Sequence, residues 1–129
     1  MTKIMQAQDL CEAFARFYNA RDLDGLVSLY EEGAVLRHDS GERTVSGKDA
    51  IRAYFERGME RPLRLVQTNN FCFEQDGIAL ARVDYRVEED GRVVRSGSSC
   101  EVLRRQADGS WRYFIDHASG ASLPRVEGV

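Results

Sequence analysis

Long apolar runs are missing from this chain of 129 residues. None approaches the ~20 residues of a membrane-crossing helix. The start, Met1-Thr2-Lys3-Ile4-Met5-Gln6, has no apolar signal core. The expectation is a cytoplasmic protein with no membrane partner. Charge of one sign is not gathered into blocks: Lys+Arg number 18 and Asp+Glu 21, for a net charge of −3. A phosphate-binding surface needs a basic stripe, so nucleic acid is not an expected partner. The three cysteines, Cys11, Cys72 and Cys100, form no Cys-x-x-Cys pair. That argues against a disulfide framework or a zinc site, and they read as small core residues. The two histidines, His38 and His117, lack helical metal-ligand spacing. There is also no Gly-x-Gly-x-x-Gly or phosphate-loop lysine, so neither a metal nor a cofactor is expected. Repeats and low-complexity segments are absent too.

What remains is the composition of an ordinary globular protein, 43% hydrophobic and 30% charged. The length suits one domain, 1–129, with a sizeable core. Ile4, Ala7, Cys11, Phe14 and Tyr18 recur at spacings of three and four, one apolar stripe along a helix. The stripe breaks at Asn19-Ala20-Arg21. Asp22 then reads as the N-cap of a second helix with Leu23, Leu26, Val27 and Tyr30 on its buried face and Gly33 at its end. Ser46 followed by Asp49 resembles a capping box. It opens a third helix with Ile51, Tyr54, Phe55 and Met59 inward, ended by Pro62.

Short strands fit Ala34–Arg37 and Arg43–Val45, with Asp39-Ser40-Gly41 as the turn. From Leu63 the period becomes two: Val83, Tyr85 and Val87 alternate with charged residues. Turns at Gln75-Asp76-Gly77, Glu89-Asp90-Gly91 and Ala107-Asp108-Gly109 join four strands into an antiparallel meander. Helices first and a meander after predict an α+β fold, three N-terminal helices packed on a curved antiparallel sheet. The tail from Ser119 to Val129 is expected to be loosely ordered.

Along Trp111–His117 apolar residues occupy both phases: Trp111, Tyr113 and Ile115 in one, Phe114 in the other. Val102 and Leu103 do the same on the partner strand. A strand apolar on both faces is covered on both. Helices cover one; a second subunit on the outer sheet face, giving a homodimer, is the expected cover for the other.

The segments Asp22-Leu23-Asp24-Gly25, Val27-Ser28-Leu29-Tyr30 and Ser46-Gly47-Lys48-Asp49-Ala50-Ile51-Arg52 resemble the ketosteroid isomerases. The run from Trp111 to Ser119 resembles the SnoaL-like proteins of the same superfamily, the nuclear transport factor 2-like proteins. The resemblance covers roughly residues 10 to 118. It implies a cystatin-like cone enclosing a pocket for a small apolar molecule. It does not imply one activity, because this scaffold hosts isomerases, cyclases, hydrolases and binders.

The isomerase machinery is not carried over unchanged. In those enzymes a tyrosine on the first helix and a protonated aspartate hold a dienolate oxygen while a second aspartate moves the proton. The resemblance puts Phe14, Glu101 and His38 at those three positions. Phe14 cannot donate a hydrogen bond, and one lost oxyanion donor costs roughly 2.7–4 kcal/mol. Tyr18 or Tyr30 offers a hydroxyl instead. His38 suits a base near neutral pH, and Glu101 in an apolar cone would be held neutral as a donor. Asp116 and His117 are adjacent, so one faces inward. The resemblance places Phe114 and Asp116 inside, whereas apolarity favours Trp111, Tyr113 and Ile115 with His117. The candidate catalytic set is His38, Glu101 and Asp116. Candidate ligand contacts are Phe14, Tyr18 and Tyr30, with Tyr54, Phe55, Tyr85 and Phe114.

Three readings follow. One is a cofactor-independent acid–base enzyme, of isomerase or cyclase type, acting on a compact apolar carbonyl compound. Another is a non-catalytic binding domain using the same cone. The third is an association module whose cone is plugged by its own aromatics.

Overall fold

The computed structural model describes residues 3–38 and 43–122, and of residue 69 the backbone alone. Ala7–Asp9 form a 3-10 turn, followed by helix α1, Leu10–Asn19, with Leu10, Cys11 and Ala13 buried. Ile4 lies ahead of the helix, its carbonyl accepting the Trp111 N–H at 2.8 Å. Arg21 ends the segment with a left-handed φ of 59°. Its guanidinium donates to the carbonyls of Tyr18, Arg61 and Leu63 at 3.1, 3.0 and 2.6 Å, tying the helix end to the later chain.

Asp22 caps helix α2, Leu23–Ser28, by accepting the Gly25 N–H at 2.9 Å. A Cβ at Gly25 would lie 2.6 Å from that carboxylate and 2.7 Å from the Phe17 ring, so the cap demands glycine there. The helix stops at Ser28 rather than at Gly33, and Tyr30 opens strand β1, Tyr30–His38. The cause is tertiary. The Leu29 carbonyl accepts from the Tyr113 N–H at 2.7 Å and Tyr30 pairs with Tyr113, so strand pairing overrides the helical period.

Strand β2, Arg43–Ser46, leads into helix α3, Lys48–Gly58, which buries Ile51 and Phe55. The expected capping box is not formed. Ser46 belongs to the strand, and the N-cap is Gly47 at φ 87° with no side-chain cap. Its N–H donates to the Ala34 carbonyl at 2.8 Å, so the chain turns from strand to helix through a conformation suited to glycine.

The remaining strands are β3 (Leu63–Gln75), β4 (Ile78–Glu89), β5 (Arg92–Ser98), β6 (Cys100–Arg105) and β7 (Trp111–His117). The three meander turns fall where the sequence marks them. Asp76-Gly77 and Asp90-Gly91 both carry positive φ at each residue, the type I′ geometry that matches strand twist. The turn expected at Asp39-Ser40-Gly41 lies outside the described residues, as do residues 123–129. Ser119–Ser122 of the expected tail form turns, with the Ala121 N–H on the Ser98 carbonyl at 3.0 Å.

The sheet runs β2-β1-β7-β6-β4-β3, with β5 also pairing β4. Two features depart from a plain meander. β1 and β7 pair in parallel, bringing the first and last strands together. The third meander strand is split at Ser99, whose N–H donates to the Val83 carbonyl at 2.9 Å while its hydroxyl accepts the Val83 N–H at 3.0 Å. The helices lie on one face, over a core that includes the fully buried Leu10, Leu26, Tyr30, Ile51 and Leu103. No helix among the described residues is long and apolar enough to cross a membrane.

The other face carries an apolar row. Direct cross-strand partners share a face, and the register runs Val35–Ile115–Val102–Leu80–Phe73 across five strands. Phe73, Leu80 and Ile115 on this row are exposed.

Candidate functional site

Between the helices and the inner sheet face lies a cavity of about 710 Å³, within the size range of small-molecule sites. The cone is therefore open, not plugged. At its wall β6 and β7 bring Glu101 and Asp116 into direct register, two carboxyl groups opposite one another on the inner face. Both line the cavity and both are buried, at 3% and 8% exposure. Leu36 of β1 is the other neighbour of Asp116, and His38 stands two residues further along the same face.

A bulge decides which residue of the Asp116–His117 pair turns inward. Tyr113 pairs with Leu103 but Ile115 pairs with Val102, so Phe114 is an extra residue in β7. The phase shifts there: Trp111, Tyr113 and Asp116 are buried, while Ile115 is exposed. Each of the two expected phases is thus right for half of the strand. Phe114 is a correction. It does not line the cavity; its ring lies on the outer face beneath the Arg104 guanidinium, 3.7 Å from the ring centre.

The two carboxyls have different surroundings. Asp116 Oδ2 accepts a hydrogen bond of 2.5 Å from the Tyr30 hydroxyl. Burial raises the Asp116 pKa, and this bond opposes the rise by favouring the charged form. Glu101 Oε1 accepts from Ser99 Oγ at 2.9 Å and lies 3.8 Å from the Cys11 sulfur. Oε2 is buried with no partner among the described residues. Burial, and then the Asp116 charge, push Glu101 far up; the Ser99 and Cys11 bonds offset only part of this. Like charges at adjacent positions cannot both ionise cheaply. The surroundings therefore favour the proton on Glu101, which burial and its neighbour both push up, over Asp116, where the Tyr30 hydroxyl favours the charged form.

Aromatic side chains complete the walls. Phe14, Tyr18, Tyr54, Phe55 and Tyr85 line the cavity. The Tyr54 ring lies 4.8 Å from that of His38, and the Tyr85 hydroxyl donates to the Ala118 carbonyl at 2.7 Å. Tyr30 does not line the cavity: it is fully buried behind Asp116, its ring 4.9 Å from Tyr113. Sequence reasoning passed over Ser99 and Tyr113 as site residues. The strand break at Ser99 has no local signature, and Tyr113 was legible only as half of an ambiguous pattern. It also passed over four arginines at the cavity, Arg43, Arg57, Arg61 and Arg95. For Arg95 the sequence misleads: a regular two-residue hairpin sets it opposite Arg86, and an irregularity between Val87 and Glu88 brings it opposite Val87 instead. Among the described residues no cluster of His, Cys, Asp and Glu is arranged to hold a metal ion.

Solved structures share this architecture. A cystatin-like protein of unknown function from Nostoc punctiforme superposes with a TM-score of 0.77 at 17% identity, covering 94% of this chain and 98% of that one. A nuclear transport factor 2-like protein of unknown function from Pseudomonas putida gives 0.75 at 20% identity, with coverages of 94% and 91%. A ketosteroid isomerase-like protein from Erwinia carotovora atroseptica gives 0.69 at 19% identity, with coverages of 85% and 89%. At these identities the likeness shows the fold alone. No curated protein matches the chain. The model of the SnoaL-like domain matches residues 11–114, and the chain belongs to that family.

Proposed function

We propose that this protein is an acid–base enzyme acting on a compact, largely apolar carbonyl compound. The observation that carries the reading is the cross-strand pair Glu101–Asp116, whose environments drive one carboxyl neutral and leave the other ionised. Such a split assigns an acid and a base. Asp116 takes the proton from the carbon next to the carbonyl. The C–H electrons form the new C=C bond, and the carbonyl π electrons move to oxygen, which Glu101 stabilises through its O–H. Protonated Asp116 then returns the proton, either to the γ-carbon of a β,γ-unsaturated substrate, the isomerase outcome, or to the alkoxide formed when the enolate carbon attacks a second carbonyl, the cyclase outcome. His38, on the same wall, is a second proton carrier, and the aromatic walls hold the ligand's apolar body.

The test needs no knowledge of the natural substrate. Incubated with 1-tetralone in D2O, the protein should speed exchange of the α-hydrogens in proportion to its concentration, read by NMR. D116N should slow the catalysed exchange by about 10²–10⁴-fold, the usual weight of a positioned base. If exchange stays at the background rate while tetralone binds the cavity, the protein is a binding domain and the enzyme reading is wrong.

We further infer that a second copy docks on the outer sheet face. The apolar row of exposed Phe73, Leu80 and Ile115 with half-buried Val102 supports this, because such a stripe can meet its own copy across a two-fold axis. The ion pairs Arg82–Asp84 and Arg104–Glu31 flank it as a polar rim.

A further inference from the structure

Carboxyl and guanidinium groups both line the cavity. Glu101 and Asp116 are the acidic residues lining it among the described residues, and both lie deep in the wall. Arg43, Arg57, Arg61 and Arg95 line it as well, from β2, the last turn of α3, the loop that follows, and β5. Two of the four are placed on the inner face by pairing. Arg95 is the cross-strand partner of buried Val87, and Arg43 the partner of buried His38.

Four arginines outside the cavity are held in ion pairs. Arg52 pairs with Asp24, Arg82 with Asp84, Arg86 with Glu88 and Arg104 with Glu31. At the cavity only Arg61 is paired, with Glu89 at 2.9 Å. Arg43, Arg57 and Arg95 have no ion pair among the described residues, in a chain whose acids outnumber its bases, 21 to 18. The Arg95 charge also reaches inward: it stabilises the ionised forms of both Tyr18 and Tyr85 against the burial that disfavours them. Arg43, Arg57 and Arg95 thus line the cavity with no carboxylate partner among the described residues, and a guanidinium fork suits a carboxylate or a phosphate.

Resting on the reading of the cavity as a small-molecule site, we infer that its ligand carries an anionic group, a carboxylate or phosphate, held by Arg57 and Arg95 at the end remote from Glu101 and Asp116. Arg95 and Glu101 are six residues apart along the β5–β6 path, roughly 20 Å of strand contour. The anionic group and the reacting carbonyl are therefore separate groups on the ligand and do not share one carbon. The substrate class narrows to keto acids or keto phosphates with an apolar body.

The test is an NMR titration of the 15N-labelled protein with 2-naphthoate and, separately, with 2-naphthamide, its neutral isostere. The side-chain Nε–H signals of Arg57 and Arg95 are assigned with R57Q and R95Q. Naphthoate should move both signals and bind about tenfold tighter or better, the range of a charge-assisted bond. The R57Q/R95Q double variant should lose that advantage while keeping its affinity for the amide. Equal affinities with unmoved arginine signals overturn the inference and leave the cavity a neutral-ligand site. If neither compound perturbs cavity residues, the small-molecule reading falls and the inference with it.

Discussion

Tyr30 donates a hydrogen bond to Asp116 across 86 residues of sequence, joining the first residue of β1 to the last turnward stretch of β7. The donor favours the charged carboxylate, so its removal raises the Asp116 pKa. On the proposed mechanism the acid limb of the Y30F rate profile should therefore move to higher pH, because Asp116 must be ionised to act as the base. The variant should also lose about 1.5–3 kcal/mol of stability, the worth of a bond to a charged group. A pH–rate profile that does not move would show that Asp116 is not the base.

Glu101 makes the fold sensitive to alkali. Its folded pKa lies above its unfolded value, so the folded state binds the extra proton and stability falls as pH rises through the interval between the two. Urea melts of the wild type at pH 5 and pH 9 should differ by about 3 kcal/mol in favour of pH 5. E101Q, which cannot ionise, should flatten that difference and be the more stable protein at pH 9. An equal slope in both proteins would place the titration elsewhere.

Leu80 sits at the middle of the outer apolar row and is 47% exposed. Sedimentation of the wild type should report a dimer. L80E should report a monomer with an unchanged far-ultraviolet spectrum, since the substitution puts charge into the interface without touching the core. A monomeric wild type at tens of micromolar would remove the second copy from the picture.

Gly25 tests the capping geometry. A methyl group there collides with Asp22 and Phe17, so G25A should break the α2 cap and cost about 1–2 kcal/mol in thermal or chemical melts. The cavity lies away from this cap, so ligand binding measured below the melting point should persist.

Much of this architecture was legible because local chemistry and tertiary structure agree. Asp22, the Asp-Gly turns at positions 76–77 and 90–91, and the alternation around Tyr85 each mean the same thing alone and in context. Gly33 and Ser46 misled because helix ends near strands are decided by pairing: Leu29 and Gly47 give their backbone groups to β7 and β1. Within the site, His38, Glu101 and Asp116 could be named as candidates, but their grouping could not. It depends on a parallel β1–β7 pair and on a one-residue bulge at Phe114 that reverses the inward phase midway along a strand. No periodicity argument registers such a reversal. The arginines were missed for a different reason: Arg43 and Arg95 look like ordinary surface charges until their partners across the strand are known to be buried, and Arg57 and Arg61 look so until the cavity is seen beside them.

The parallel joining of β1 to β7 also sets when the site comes into being. The Tyr30–Asp116 contact spans 86 residues and the Cys11–Glu101 contact spans 90, so the cavity wall is built from opposite ends of the chain. Contacts of such long range carry a loop-closure cost that slows folding. A ribosome-bound chain that has not yet released its last strand lacks Asp116 and the wall beside it. The cavity wall is therefore complete only once that last strand has joined the sheet.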